Sequence, residues 1–238
     1  MSIGNLLPRS LREEKNFRWR GGEVSRIEGL SDAVFALSLT LLVVALEVPR
    51  TSDELFAVFW QFPAFAICFA FMMWVWYEHF LYHRRFGFED AGTIALNGLL
   101  LFFIVFYVFP LKFLARALIT VPLEKGTWDL FFGGHGTAVM VFYGAGFVGI
   151  FSVLFFMYWR AWRLRDVIHL DDAERAAVRG ALRGHQLSVS IGVLSLALAL
   201  LVPQIPALAG LICFLMGPAQ GINGYLTGNA VERAAEKT

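Results

Sequence analysis

Six long apolar segments are the feature of this sequence that most restricts its fold. They cover approximately residues 29–48, 55–78, 92–111, 137–159, 186–202 and 205–226. A helix needs about 20 apolar residues to cross the ~30 Å hydrocarbon layer of a bilayer. Only helices and closed barrels satisfy every backbone polar group in that layer. We therefore predict an all-α integral membrane protein with six transmembrane helices per subunit.

The overall composition also indicates a lipid environment. Of the 238 residues 58% are hydrophobic and 16% are charged, against about 25% charged residues in soluble domains. A soluble domain of this length could not bury 24 Phe and 7 Trp together with the other apolar side chains. These values exclude a soluble enzyme, a disordered chain and a nucleic-acid-binding protein, so the lipid bilayer is the expected surrounding.

The basic residues predict the orientation of the helices. Sixteen Lys and Arg lie in the N-terminal tail, the loop near residue 84, the 160–185 segment and the C-terminal tail, against four on the opposite side. Because cytosolic loops carry an excess of basic residues, both termini are predicted to be cytosolic. The chain then divides into a basic N-terminal tail (1–26), a six-helix transmembrane domain (27–228) and a C-terminal tail (229–238).

Two local patterns add detail. Asp171-Asp172-Ala173-Glu174 resembles a capped helix start, so a helix should begin there and continue into the fifth apolar segment. Cys68 and Cys213 both lie inside apolar segments, which favours packing within a helix over a disulfide.

The first apolar segment carries an unusual charge at its start. Asp32 is followed by a run without charge up to Glu47, interrupted only by Ser38 and Thr40. A carboxylate about one turn inside a membrane helix is costly and by default marks a functional or assembly site with a partner.

Helical geometry divides this first segment into an apolar stripe and a polar face. The apolar stripe consists of Leu30, Leu37 and Val44, with Ala33, Leu41 and Val48 beside them and Thr40 slightly to the other side. Ser31 and Asp32 point about 100–140° away from it around the helix. Polar groups in lipid seek protein partners, so the polar face should contact neighbouring helices. The apolar stripe is left to face lipid, another subunit or a pore axis.

Candidate partners for Asp32 come from the second and third segments. His79 and Asn97 lie one or two turns from the same side of the membrane. A hydrogen-bonded network of Ser31, Asp32, His79 and Asn97 would satisfy all of these polar groups. The spacing of His79 and His83 also suits a metal, but the surrounding sequence has no cysteine ligand, so no metal site is predicted.

The start of the first segment resembles the signature of a known family. Residues 26–36 read RIEGLSDAVFA. They resemble the signature of the transmembrane protein 175 family of potassium channels, in its single-repeat bacterial branch: an Arg, three residues, then Phe-Ser-Asp. Leu30 stands where that signature has Phe. The aromatic end of the second segment and the lone Asn97 of the third add to a resemblance that covers the whole chain.

The resemblance implies a homotetramer of six-helix subunits in the cell's inner membrane, with the first helix of each subunit lining a central ion path. It implies a hydrophobic constriction and a polar layer formed here by Leu37, Leu41, Val44 and Thr40. It implies a structural network of Arg26, Ser31, Asp32, His79 and Asn97. Potassium and other monovalent cations are the expected permeant species, and no cofactor, bound metal or catalytic residue is expected.

The sequence also suggests how such a path would select ions. No Thr-Val-Gly-Tyr-Gly-like loop is present, so a ring of backbone carbonyls is not predicted as the filter. Side chains of the first helix would act instead. A narrow apolar tube favours the ion that sheds water more easily, which is potassium over sodium, and it can close by dewetting.

Other classes of membrane protein stay open at this point. A small secondary transporter could use Asp32 and His79 as a proton relay, although the sequence lacks the internal symmetry and broken helices typical of transporters. A membrane-embedded enzyme or a structural scaffold is a further alternative, but no His, Asp and Glu cluster has catalytic spacing.

Overall fold

A computed structural model of the protein describes residues 16–44, 51–52, 56, 62–120, 136–203 and 207–237. These residues contain helices and connecting segments but no strand. The helices are α1 (Arg26–Val44), α2 (Phe62–Phe86), α3 (Ala91–Thr120), α4 (Gly136–Arg163), α5 (Asp172–Leu201), α6 (Ala207–Ile212) and α7 (Met216–Ala235). The predicted all-α class is confirmed.

Four of the described helices are long and apolar enough to cross a membrane. The qualifying stretches are Phe65–Phe86, Ala91–Val108, Gly136–Arg163 and Asp172–Leu201. They correspond to the second, third, fourth and fifth predicted segments, and they confirm a membrane protein. α1 is described over 19 residues, whereas its predicted segment runs on to residue 48, outside the described part. The total of six spans stays a prediction.

The helix predicted to lead into the fifth segment is present. Glu174 N donates to the Asp171 carboxylate at 2.8 Å, and Asp171 N donates to the Glu174 carboxylate at 3.1 Å. This reciprocal capping box satisfies two backbone donors at the start of α5. From there α5 continues as a single helix of 30 residues, as predicted.

The single helix predicted for 205–226 is instead interrupted. A short 3-10 turn, Cys213–Leu215, joins α6 to α7. Pro218 is the third residue of α7; it has no N–H, and its ring would clash with the carbonyl of Phe214 in a regular α-helix. A local 3-10 segment is a usual response to such a constraint. The expectation of unbroken helices is therefore wrong here, and α7 also runs on to Ala235, into the predicted C-terminal tail.

The bundle is built around α4 and α5. α5 packs against α4 on one side and α7 on another, while α3 packs on α4. α1 lies at one edge against α2 and α3. The interior contains large side chains with at most 1% exposure: Met72, Leu100, Ile104, Phe151 and Leu154. Cys68 is buried and Cys213 is exposed, and neither forms a disulfide.

The residues that precede α1 pack across one end of the bundle. Phe17 is buried with its ring centroid 5.9 Å from that of Phe86. The backbone N–H groups of Arg20 and Gly21 both donate to Arg84 O at 3.1 Å. Gly87 has a φ of +61°, and a Cβ at that position would lie 3.1 Å from the Gly21 Cα. The N-terminal approach to α1 is thus fixed to the end of α2.

Candidate functional site

α1 has one packed face and one exposed face. The packed side chains follow three- and four-residue steps along the helix: Glu28, Ser31, Phe35, Ser38 and Leu42. On the opposite side Leu30 and Leu37 are 60% and 55% exposed. These steps define a single helical face, so Leu30 and Leu37 of the apolar stripe point away from α2 and α3.

The predicted constriction residues differ in their surroundings. Leu37 and Thr40 are exposed, while Leu41 is half-buried and packs partly against the core. The Thr40 hydroxyl donates to the carbonyl oxygen of Ala36 at 2.8 Å. Val44 is the last residue of α1, and its side chain lies outside the described part of the chain.

Three of the five predicted network residues are joined by hydrogen bonds. Asn97 Nδ2 donates to Ser31 Oγ at 3.0 Å, and Asn97 Oδ1 lies 2.8 Å from His79 Nε2. Because the amide oxygen can only accept, this bond requires the histidine tautomer that carries its proton on Nε2. Ser31 Oγ in turn donates to Ile27 O at 2.8 Å. The network ties α1 to both α2 and α3.

The other two predicted network residues lie outside this cluster. Asp32 Oδ1 accepts a hydrogen bond from Trp76 Nε1 at 2.9 Å, so its partner on α2 lies one turn before His79. Asp32 is one residue beyond Ser31, which rotates it by about 100° around the helix and onto the exposed side. Arg26 is exposed at the first residue of α1 and forms no hydrogen bond or ion pair with the described residues.

A second capping box begins α1 and was missed in the sequence. Ser25 N donates to Glu28 Oε2 at 2.9 Å, and Glu28 N donates to Ser25 Oγ at 3.2 Å. The Ser-x-x-Glu spacing at 25–28 is the usual signal for this arrangement. Arg84 Nε lies 3.8 Å from Glu28 Oε1, which adds an ionic contact to the end of α2.

The segment before α1 is also held by a buried ion pair. Arg20 donates to both oxygens of Glu174, at 2.6 and 2.9 Å, and Arg18 N donates to Glu174 Oε1 at 2.9 Å. The Glu174 side chain is 1% exposed. Since Arg20 and Glu174 are 154 positions apart in the chain, no local sequence pattern could have indicated this pair.

Within the described residues no group of three or more His, Cys, Asp and Glu side chains could hold a metal ion. His83 lies beside His79, with the two ring centroids 4.4 Å apart, and its side chain is buried.

The fold is an apolar helical bundle in which α1 has a polar network on its packed side and exposed leucines on the other. These are the features of an α-helical integral membrane protein. A family model described as endosomal/lysosomal potassium channel TMEM175 matches residues 26–107. A protein of Marivirga tractuosa named as a potassium channel is 35% identical over 232 residues, which cover 92% of this chain and 93% of that protein. The chain belongs to the transmembrane protein 175 (TMEM175) family.

Solved structures agree with this assignment. A variant of the potassium channel MtTMEM175, crystallised with a Nanobody-MBP fusion protein, is 36% identical and superposes with a TM-score of 0.76. The match covers 91% of this chain and 99% of that one. A TMEM175 homologue from Chamaesiphon minutus, at 21% identity and a TM-score of 0.56, covers 86% of this chain and shares the fold.

Proposed function

We propose that this protein is a potassium-permeable cation channel, a homotetramer in the cell's inner membrane with both termini in the cytosol. In this proposal α1 of each subunit lines a central ion path. The observation that carries it is the exposed apolar stripe of α1, with Leu37 55% exposed. This stripe belongs to a chain related over 92% of its length to a protein named as a potassium channel.

The constriction would be formed by rings of Leu37, Leu41 and Val44, one side chain of each from every subunit. α1 runs as a helix from Arg26 to Val44, so most of its backbone carbonyls are engaged in helix hydrogen bonds. Side chains rather than carbonyls would then face the ion. An apolar ring removes water from a passing cation, and potassium loses its hydration more easily than sodium.

Thr40 would supply the polar layer. Its hydroxyl hydrogen is directed to Ala36 O at 2.8 Å, which leaves the lone pairs of Oγ1 available to a cation. A ring of such oxygens would replace part of the lost hydration. The apolar rings beside it would empty of water when they narrow, so the same residues would serve as filter and gate.

The buried network would keep the apolar stripe pointed at the path. The hydrogen bonds of Ser31, His79 and Asn97 join particular side chains. They can therefore form only when α1 has one rotation about its own axis. Asp32 adds a bond to Trp76 on α2. We infer that these residues position the helix and do not contact the ion.

Cysteine accessibility in proteoliposomes tests whether the apolar stripe faces the path. Leu37→Cys is compared with Phe102→Cys, a position on α3 that is 62% exposed, both in a Cys213→Ser background because Cys213 is an exposed thiol. A small charged thiol reagent should block potassium flux through Leu37→Cys and leave Phe102→Cys unaffected. Equal insensitivity of two active variants would place the stripe in lipid and contradict the proposal.

Two further variants test the filter itself. Thr40→Ala should lower the preference for potassium over sodium, and Leu37→Asn should raise the leak of both ions because it hydrates the constriction. The ratio of the two cation fluxes into liposomes measures both effects. Flux that saturates with substrate and requires a proton gradient would instead indicate a transporter that uses Asp32 and His79.

A further inference from the structure

Two adjoining grooves lie along α5 and α7, away from α1. The polar groove, about 490 Å³ in volume, is lined by residues that include Trp162, Arg179, Leu182, Arg183 and Gln186. The apolar groove, about 300 Å³, is lined by residues that include Arg183, Gln186, Leu187, Ser190, Ile222 and Leu226. Arg183 and Gln186 line both, so the two grooves adjoin at these side chains.

The two arginines of the polar groove keep most of their donors free. Nearby Arg160 and Arg175 form ion pairs with Asp90 at 2.6 Å and Asp166 at 2.8 Å. Among the described residues Arg179 and Arg183 form no ion pair. Their hydrogen bonds are long: Arg179 Nε to Arg175 O at 3.3 Å, and Arg183 to Thr227 Oγ1 at 3.5 Å.

This pair suits a phosphate. Arg179 and Arg183 are four residues apart on α5 and therefore share one face, and both are exposed. The Arg179 guanidinium lies 5.7 Å from the Trp162 ring centroid, within the range of a cation–π contact. Guanidinium groups bind phosphate oxygens through paired N–H donors, and Gln186 can add an amide donor.

The arginines stand at the depth of lipid headgroups. From Leu187 to Leu201 α5 carries no charge, a length of about 22 Å at 1.5 Å per residue. Arg183 is one turn before this apolar stretch. Trp159 and Trp162 lie at the matching end of α4, where interfacial aromatic residues are common. The apolar groove therefore runs into the hydrocarbon layer and the polar groove lies at its edge.

We propose that α5 and α7 form a binding site for an anionic phospholipid. Its phosphate contacts Arg179 and Arg183, and an acyl chain follows the apolar groove past Ser190 and Ile222. Along this surface, basic residues lie at one end and apolar walls at the other. That arrangement matches an amphiphile better than a soluble anion or a peptide. Leu187, Ile222 and Leu226 are 36%, 62% and 50% exposed, so a chain entering sideways from the bilayer would reach them.

The test measures lipid retention by the purified full-length protein and needs no ion flux. Detergent-solubilised protein is incubated with phosphatidylglycerol or phosphatidylcholine, and retained lipids are counted by native mass spectrometry. Thermal unfolding is followed in the same mixtures. A contribution of about 1 kcal/mol per arginine corresponds to roughly 5-fold in affinity, so Arg179→Gln/Arg183→Gln should weaken phosphatidylglycerol binding roughly 25-fold.

A matched control removes the same charge elsewhere. Arg163→Gln/Arg233→Gln replaces two exposed arginines that line neither groove, and it should retain phosphatidylglycerol within about 2-fold of the parent protein, since surface charge acts weakly at a distance. Ser190→Phe fills the apolar groove without a change of charge and should also reduce retention. The unfolding temperature in phosphatidylcholine should be the same for all four proteins.

Three results would overturn the proposal. One is an equal loss of phosphatidylglycerol in the control variant, which would indicate general attraction to surface charge. Another is equal stabilisation by inorganic phosphate, which would indicate a soluble anion. The third is full retention in both Arg179→Gln/Arg183→Gln and Ser190→Phe.

Discussion

α1 and α7 both lie at edges of the bundle, but they are attached in different ways. α1 buries a face of five side chains and joins α2 and α3 through hydrogen bonds between Ser31, Asn97 and His79. None of the described residues of α7 is buried. α7 is attached to α5 by side-chain amides: Gln220 donates to Gly184 O at 2.8 Å, and Asn223 donates to Gly180 O at 3.0 Å.

The two attachments differ in how many equivalent hydrogen-bond partners the neighbouring helix offers. A backbone carbonyl is present at every residue of α5, so these two amide-to-carbonyl bonds specify close approach more than rotation, and the bond from Gln220 to Ser188 Oγ at 2.9 Å adds a side-chain partner. Ser31, His79 and Asn97 each occur once at the contact, so their bonds fix the rotation of α1. A helix whose outward face has a function must keep one rotation, so it needs hydrogen bonds between particular side chains. The following predictions test this contrast, from the largest effect to the smallest.

Loss of the Arg20–Glu174 ion pair should have the largest effect on stability. Glu174→Gln keeps the shape of the side chain but leaves Arg20 beside a neutral amide in a site that is nearly closed to water. Breaking a buried ion pair destabilises by about 3 kcal/mol or more. Thermal unfolding of the detergent-solubilised protein measures the change. An effect under 1 kcal/mol would mean that this pair does not hold the approach to α1.

Removal of the network amide should come next. Asn97→Leu leaves His79 Nε2 without an acceptor, while Ser31 Oγ loses its α3 partner and keeps its bond to Ile27 O. A buried polar group left unpaired costs about 1–3 kcal/mol. We expect a loss of about 2 kcal/mol in the free energy of unfolding, together with a change in potassium selectivity as α1 rotates.

Ser38→Ala is the control on the same face of α1. Ser38 Oγ is buried and has no hydrogen-bond partner among the described residues, so its removal breaks no hydrogen bond there and should not destabilise the protein. If Ser38→Ala and Asn97→Leu have equal effects, the hydrogen-bonded network does not define the position of α1.

A methyl group between α5 and α7 should have a smaller effect, confined to stability. A Cβ at Gly180 would overlap the Thr227 side chain, and overpacking of this kind costs about 1–3 kcal/mol. Gly180→Ala should therefore lower the unfolding temperature without changing the ratio of potassium to sodium flux. Gly221→Ala on α7 is the control, since no described atom lies within 4 Å of its added Cβ. A change in selectivity with Gly180→Ala would break the contrast between the two helices.

The smallest effect is expected at the Arg160–Asp90 ion pair, which is as short as the Arg20–Glu174 pair but more exposed to solvent. Arg160 and Asp90 are also 2.6 Å apart, but the Asp90 side chain is 47% exposed. Exposed pairs contribute about 0.2–1 kcal/mol, so Asp90→Asn should cost about 0.5 kcal/mol. Partial burial raises the pKa of Asp90, but hydrogen bonds from Thr93 and Gly92 and the Arg160 charge outweigh it and hold the pKa below its usual 3.8.

The pH dependence of this pair follows from the direction of that shift. A carboxyl whose folded pKa is lowered stabilises the protein fully above its unfolded pKa and loses the effect as pH falls through the folded value. The difference in stability between the parent protein and Asp90→Asn should therefore be constant near neutral pH, begin to fall as the pH approaches 3.8, and disappear once the pH is below the lowered folded pKa. A difference that instead grows on acidification would contradict the assignment.

Much of the fold could be predicted because the signals are local and repeated. The apolar length of each segment predicted the helices, and the Asp171–Glu174 spacing predicted the start of α5. The meeting of Ser31, His79 and Asn97 followed from their equal depth in the membrane. The hydrogen bond from Trp76 to Asp32 was missed because only His79 and Asn97 were considered as partners of Asp32.

The rest depended on tertiary contacts or on signals that were passed over. The pairing of Arg20 with Glu174 joins distant parts of the chain, so residues near Arg20 were interpreted as a basic tail. The 3-10 turn before α7 could have been predicted from Pro218, which lies inside the sixth apolar segment. The Ser25–Glu28 capping box was likewise visible in the sequence.

The close approach of Gly21 and Gly87 has a consequence for how this protein can change over generations. A side chain at position 87 would have to adopt a φ of +61° and would meet the backbone of Arg20 and Gly21 at 3.1 Å. A side chain at Gly21 would overlap the carbonyl of His83. Gly87 cannot be replaced while the backbone of Arg20 and Gly21 stays in place, and Gly21 cannot be replaced while the backbone of His83 does. Descendants of this chain should therefore keep both glycines or exchange the whole crossing, and the two positions should be inherited as a unit.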